Sequence, residues 1–418
     1  MIISATMNRS RGCLGLAIVS ALLVSCGPRT SPPPQVTLPV ASNPREKPTA
    51  IDAGAADAGS TKAVYTLTAP ANGAPLRPFG MFMQNPARNG RSTFLGPREE
   101  PKELWVFRTS RRVAASPVLG PEKNLYVGSL DGSFDVLGPD GRLKWSYMGA
   151  EPFFASAAIA SDGRVFVGSD DDTFMGFGQD GVMRWMIRMR EDADSAPVIT
   201  LEGNLYVGGD ALHGLTADGQ VIFKAWLGGH VSAAPAVRSD KSVIAGSHDG
   251  RIYAVRDDGT VLWAFGTGAP IVGGASILDD DAVVFGSNDG SVYKLGPKGN
   301  LAWRFKTKGQ VRAVPAVTPE KLIVVGSRDG AVYGLDPEKG ERVWKLDTGG
   351  PVNGSALIDA GGAAFVGSGD GFLYALDAKD GKILWRKNLG RDVDATPTLS
   401  EDGTLYIACD SGAVFALK

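Results

Sequence analysis

The sequence predicts an all-β protein whose bulk, residues 103–418, is an eight-bladed β-propeller of four-stranded blades. Three observations carry that expectation. An aromatic anchor recurs at Trp105, Trp145, Trp185, Phe223, Trp263, Trp303, Trp344 and Trp385, in steps of about 40 residues. A second marker keeps the same register, with glycines at Gly128, Gly168, Gly208, Gly246, Gly286, Gly326 and Gly367 and Ala408 in the eighth place. Each unit also alternates apolar and polar positions between Asp-Gly turns, and no stretch of useful length shows helical periodicity. Units of this size with four short strands match a propeller blade.

One unit shows how the blade is built. An apolar run at Val118 and Leu119 leads through a turn into Asn124–Ser129, and the Asp131-Gly132 turn opens Ser133–Leu137. A Pro139-Asp140-Gly141 turn then leads to the strand that holds Trp145. Glycine fits these turns because it adopts positive φ without steric cost. The ends of the register predict how the ring closes. The last unit stops at Lys418 after its third strand, while the strand 103–108 precedes the first complete unit. That strand is expected to be the outermost strand of the final blade, which removes the edges an open array would expose. The anchor aromatics are expected to pack between neighbouring blades.

The N-terminus reads as a targeting segment. Arg9 and Arg11 precede a short apolar run, Leu14 to Val24, and small residues follow, the pattern of a secretory signal rather than a spanning helix. The segment ends Leu23-Val24-Ser25-Cys26, which resembles the lipobox of bacterial lipoproteins. The resemblance implies removal of residues 1–25, lipidation of Cys26 and, with Gly27 following, sorting to the outer membrane. Residues 26–78 are rich in Pro and Ala and are expected to be a disordered tether reaching on the order of 40 Å. Residues 79–102 form a lead-in to the repeats.

Composition excludes several classes. With 43 basic and 45 acidic residues and a net charge of −2, no global field draws the chain to nucleic acid. Three cysteines exclude a disulfide-stapled scaffold.

The run Gly326-Ser-Arg-Asp-Gly-Ala-Val-Tyr-Gly-Leu-Asp-Pro-Glu-Lys-Gly340, followed by Trp344, resembles the repeat of quinoprotein-type propellers, named for pyrroloquinoline quinone. So does Gly367-Ser-Gly-Asp-Gly-Phe-Leu-Tyr-Ala-Leu-Asp-Ala-Lys-Asp-Gly381 with Trp385. The run from Phe82 to Arg91 is similar to the segment that precedes such propellers in secreted bacterial proteins. The resemblance implies eight blades and one of two roles. Some members are quinone-dependent dehydrogenases. Others are non-catalytic, among them the propeller lipoprotein of the outer-membrane β-barrel assembly (Bam) machinery.

The chemistry favours the second role. Quinone-dependent alcohol dehydrogenases often set two adjacent cysteines against the quinone, hold Ca²⁺ with a carboxylate and an amide, and use an Asp as base. Here Cys409 is the one cysteine of the propeller, at a position where other units carry serine, and it reads as a small buried residue. Asp170-Asp171-Asp172 and Asp279-Asp280-Asp281 fall at turns where Asp is expected anyway, so they read as solvated turns. His213, His230 and His248 are too scattered in register to suggest a metal site. No catalysis, cofactor, metal or nucleic-acid partner is expected. The expected partners are the membrane, through the lipid, and other envelope proteins, with the β-barrel assembly machinery as the concrete version. A ligand-binding or sensor propeller is the alternative, and a dehydrogenase with atypical ligands a further one.

Comparing units with one another singles out one more set. An apolar residue stands before each innermost strand, and the next position varies: Ala114, Phe154, Asp194, Ser232, Val272, Arg312, Asn353 and Asp394. Innermost strands line a propeller's channel, so Asp194, Ser232, Arg312, Asn353 and Asp394 are expected to meet at one mouth as a candidate binding ring. The third unit departs from the pattern. It lacks the Asp-Gly turn after Gly208, carries Phe223 for tryptophan, and is expected to have repacked around Trp226, the alternative being that Trp226 and Phe223 present apolar surface to a partner.

Overall fold

The computed structural model describes residues 65–66 and 77–418. Residues 1–25, Cys26 and all of residues 26–78 except 65–66, 77 and 78 lie outside them, and with them the expected signal peptide, lipidation site and most of the expected tether. Tyr65–Thr66 forms a two-residue strand paired antiparallel with Met186 and Trp185. The rest is an eight-bladed, all-β propeller. Among the described residues the one helical element is a short 3-10 turn, Pro121–Lys123.

Each blade is a four-stranded antiparallel sheet, in simple meander order in all but the eighth, and two further short strands extend the second to six. The sixth is typical, with strands Ala316–Val317, Ile323–Ser327, Ala331–Leu335 and Arg342–Asp347 running from the channel outward. Its second and third strands are fully buried, whereas the outermost alternates buried and exposed positions. This is the pattern of a sheet sandwiched between neighbours with one wet edge. The ring closes as the register predicts. Glu103–Arg108 pairs antiparallel with Ala413–Leu417, joining the two ends of the propeller in one blade, and Lys102 and Lys418 exchange backbone hydrogen bonds beyond it.

The anchor aromatics dock each blade on the next. The Trp344 ring lies against Gly381 of the following blade, where φ is +75° and a Cβ would meet the indole at 2.5 Å. The turn therefore needs glycine for both its backbone and its clearance. The Trp344 indole N–H donates to the Ala378 carbonyl of that turn at 2.9 Å. Trp105, Trp185, Trp263 and Trp303 make the same bond one blade on. Trp385 has no such turn to meet, because the last blade borrows its outer strand from the chain's start, and it donates instead to Pro97 at 2.8 Å. Phe223 has no N–H but keeps the position, buried against Gly259.

The third blade corrects one expectation. Trp226 is not the centre of a repacked core; it is 57% exposed, with the Arg190 guanidinium over its ring. Phe223 alone fills the anchor site.

The lead-in does more than precede the ring. Pro78–Met81 pairs antiparallel with the innermost strand of the second blade, Ala158–Ala160. The chain then passes from blade to blade. Val237, Ile277, Val317 and Ile358, on the innermost strands of blades four to seven, donate their N–H groups to the carbonyls of Pro86, Ala87, Asn89 and Gly90 at 2.8–2.9 Å. Arg88 is wholly buried at the centre of this crossing. It donates to the carbonyls of Pro235, Ala196 and Pro197 on blades three and four, and to that of Phe82, whose ring lies beneath the guanidinium. Met83, Gln84 and Arg88 take left-handed backbone conformations, a strained choice for such side chains that the surrounding bonds hold in place.

Burial lowers the Arg88 guanidinium to about 9, so it stays charged at neutral pH with carbonyls rather than a carboxylate as partners. Arg88→Met keeps the bulk but strands these buried carbonyls. Urea unfolding of the full chain is expected to show a loss of about 2–4 kcal/mol, while Trp226→Ala, at an exposed site, is expected to change little.

Candidate functional site

The eight varying positions meet. Ala114, Phe154, Asp194, Ser232, Val272, Arg312, Asn353 and Asp394 all line one cavity of about 190 Å³ at the mouth of the channel. Phe82 of the lead-in also lines it, so the cavity is bounded by the segment that crosses the channel. Its walls are the starts of the innermost strands, where hydroxyls tie blade to blade. Ser355 Oγ accepts from the Val314 N–H, Thr396 Oγ1 from Ser355, Ser116 Oγ from Thr396 and Ser156 Oγ from Ser116, at 2.8–3.1 Å. That relay runs from the sixth blade round to the second. These hydroxyls are committed to the frame.

A second set of positions, which the repeat pattern does not single out, stands beside the first. The residue after each Gly-Ser element folds over the mouth and bonds the residue two places before a ring position. Asp170, His248, Asn288, Arg328 and Asp410 donate their N–H groups to the carbonyls of Pro152, His230, Pro270, Gln310 and Asp392 at 2.9–3.0 Å. This places Asp170 in the acidic group around Asp194, His248 beside Ser232, Asn288 and Arg328 beside Arg312, and Asp410 beside Asp394.

Two expectations change as a result. His230 and His248 are not scattered; their rings lie 5.1 Å apart, edge to face. His230 bonds Asp194 through Nε2 and Glu191 through Nδ1, both at 2.9 Å, and His248 Nε2 meets Ser232 Oγ at 2.8 Å. His213 is elsewhere, buried against Asp210. Among the described residues no group of three or more His, Cys, Asp or Glu side chains could hold a metal ion. The second change concerns Asp170, which is not a solvated turn residue. It is half-buried, and its Oδ1 has no hydrogen-bond partner. Asp279 keeps the expected character at a wet turn, its side chain 61% exposed and 3.7 Å from Arg91.

The Asp-Gly turns have a structural task. Asp249, Asp289, Asp329 and Asp370 each accept a hydrogen bond from the tyrosine four residues on, at 2.5–2.7 Å. Cys409 is buried, next to Ser411.

Charge is uneven around the mouth. Blades two and three bring Asp170, Asp192 and Asp194 together with Glu151 and Glu191, and the His230 ring sits between Asp194 and Glu191. The Asp170 carboxyl is pushed up to about 7, first by burial and then by Asp192, Asp194, Glu151 and Asp171. His230 is raised, chiefly by its bond to Asp194, and His248 is lowered by burial and by His230. On the far side, blade six supplies Arg312 and Arg328. Asn353 Nδ2 donates to Asp394 Oδ1 at 3.1 Å, and Arg112 bridges Asp410 at 3.2 Å and Asp394 at 4.0 Å.

Residues 185–298 and 288–418 match the family described as outer membrane protein assembly factor BamB. No curated protein matches the sequence significantly. Similar solved structures include a europium-containing methanol dehydrogenase, with a TM-score of 0.67 at 16% identity, over 80% of this chain and 89% of that one. BamB from Moraxella catarrhalis aligns with a TM-score of 0.64 at 16% identity, over 76% of this chain and 99% of that one. The quinohemoprotein alcohol dehydrogenase from Comamonas testosteroni aligns with a TM-score of 0.69 at 15% identity, over 83% and 81%. Identities this low establish a shared fold.

The acidic arc makes stability depend on pH. The folded value of Asp170, about 7, lies above the ordinary 3.8, so folding favours its protonated form. That contribution is complete below the ordinary value and is lost as pH rises through 7. His230, raised from its ordinary 6.5, acts with the same sign, losing its contribution as pH climbs through its folded value. Asp170→Asn is expected to raise the Tm by a few degrees at about pH 8 and by much less at about pH 4.5. Thermal scans at both values check this, and an equal gain at both would contradict it.

Proposed function

The chain belongs to the family described as outer membrane protein assembly factor BamB, and from that membership we propose that it is a non-enzymatic protein-binding scaffold of the cell envelope. The observation that carries the reading is the extent of the match, which spans the third to the eighth blades and so concerns most of the ring. The sequence at Cys26 supports attachment to the outer membrane through a lipid, with the Pro-Ala tether between the lipid and the ring. Outer-membrane protein assembly is the concrete role this family membership supports.

The size of the central cavity supports the non-enzymatic reading over a quinone-dependent one. About 190 Å³ bounded by Phe82 falls short of the roughly 300 Å³ at which cofactor-sized sites begin. The one described cysteine is buried beside Ser411 and does not line the cavity.

A scaffold needs an adhesive surface, and the rim of the third blade supports that role. Trp226 stands 57% exposed with Arg190 stacked on it, the residue types that dominate binding energy in protein interfaces. The test is capture of the lipid-anchored full chain from cross-linked membranes, with bound proteins identified by mass spectrometry. Enrichment of a β-barrel assembly subunit is expected, with Trp226→Ala reducing it about tenfold or more at unchanged Tm. A clean preparation lacking that machinery would overturn the assembly role.

A further inference from the structure

The cavity holds one charge its own surroundings do not balance. Of the three charged side chains lining it, Asp194 is bonded by His230 at 2.9 Å, and Asp394 by Asn353 at 3.1 Å with Arg112 at 4.0 Å. Arg312 is different. Its guanidinium reaches only the side-chain oxygen of Asn288, at 3.4 Å, and among the described residues it makes no ion pair. Arg328, beside it, is bonded to Gln310 and likewise has no carboxylate partner among the described residues. Partial burial and the repelling Arg328 lower the Arg312 guanidinium, with Asp394 acting in the opposite sense. A guanidinium at a cavity wall that pairs with no carboxylate can receive an anion, because its planar fork matches two oxygens at once.

The rest of the lining defines the body that would carry the anion. In an eight-membered ring the second blade stands opposite the sixth, so Phe154, 42% exposed, lies across the channel from Arg312. Ala114, on the neighbouring first blade, and Phe82 of the lead-in add to this apolar lining. Asp394, beside Asn353 on the next blades, leaves an acceptor for an N–H donor. The volume suits one compact group.

We propose that the cavity binds an α-carboxylate, free or at the end of a peptide, with the carboxylate on Arg312, the α-nitrogen toward Asp394 and the side chain against Phe154 and Phe82. The site is distinct from the Trp226 rim and stands whether or not the scaffold reading does, since titration reads the cavity and capture reads the rim.

Isothermal titration of the full chain with the tripeptide Ala-Ala-Leu, its C-terminal amide and free L-leucine tests this. The tripeptide acid is expected to bind saturably, with the amide at least about tenfold weaker, the loss typical of one charge-assisted hydrogen-bond pair. Arg312→Gln is expected to weaken the acid by a similar factor at unchanged Tm, because the residue is exposed. Tighter binding of the tripeptide than of leucine identifies a peptide end as the source, and equal or tighter binding of leucine a free amino acid; both support the site. No saturable binding of either acid up to millimolar concentration, equal affinity for acid and amide, or an Arg312→Gln variant that binds as the parent does would each overturn it.

Discussion

The pairing of Glu103–Arg108 with Ala413–Leu417 is the constraint on which the remaining structure depends. A blade buries its two faces only against neighbours, so a row of eight leaves two raw faces and two free edges. Closure turns every face into an interface and lets each anchor aromatic meet a turn of the next blade. The exception shows how strict this is. At the seventh blade the turn that would receive Trp385 is missing, because the closing strand comes from the other end of the chain, and Pro97 supplies the carbonyl instead. The segment just before the closing strand is therefore held by the same bond that joins blades elsewhere.

Closure also produces a channel, and the lead-in occupies part of it. The innermost strands would leave N–H groups facing the axis, and buried backbone donors need partners. Pro86, Ala87, Asn89 and Gly90 supply four of them in sequence. Arg88 answers the opposite need, giving donors to carbonyls on blades three and four. One short segment thus satisfies both kinds of group, and its Phe82 bounds the cavity above.

Much of this was legible in the residues. Blade number, anchor positions and the closing strand follow from two markers in one register, because every blade solves the same packing problem with the same side chains. The convergence of Asp194, Arg312, Asn353 and Asp394 was legible for the complementary reason: they vary where the frame does not constrain them. The crossing lead-in was not. Its residues have no period, and Asn-Pro-Ala-Arg-Asn-Gly reads as a surface loop. The burial of Arg88 depends on carbonyls at Ala196, Pro197 and Pro235, more than a hundred residues away in the chain. The histidine pair was missed because His230 and His248 belong to different turns of the fourth unit, and only the bond between those turns makes them neighbours.

That same bond explains why a repeat so uniform can carry an individual site. In each blade the turn after the Gly-Ser element is held by an internal frame, the aspartate accepting from tyrosine in blades four to seven. The residue between serine and aspartate is held by its backbone, as His248, Asn288 and Arg328 are by the carbonyls of His230, Pro270 and Gln310. Its side chain takes no part in that frame and bonds other residues of the mouth, as His248 does Ser232, Asn288 does Arg312 and Arg328 does Gln310. Two such positions per blade, one on the turn and one on the innermost strand, give a surface whose composition can change without touching the core. Acid gathered on blades two and three and arginine on blade six are then a choice made at positions where stability exerts little pull, or, in the case of Asp170, where the choice acts against stability at neutral pH. A half-buried carboxylate without a partner is costly to hold beside other carboxylates, and such a cost falls where the residue's chemistry rather than its packing accounts for it.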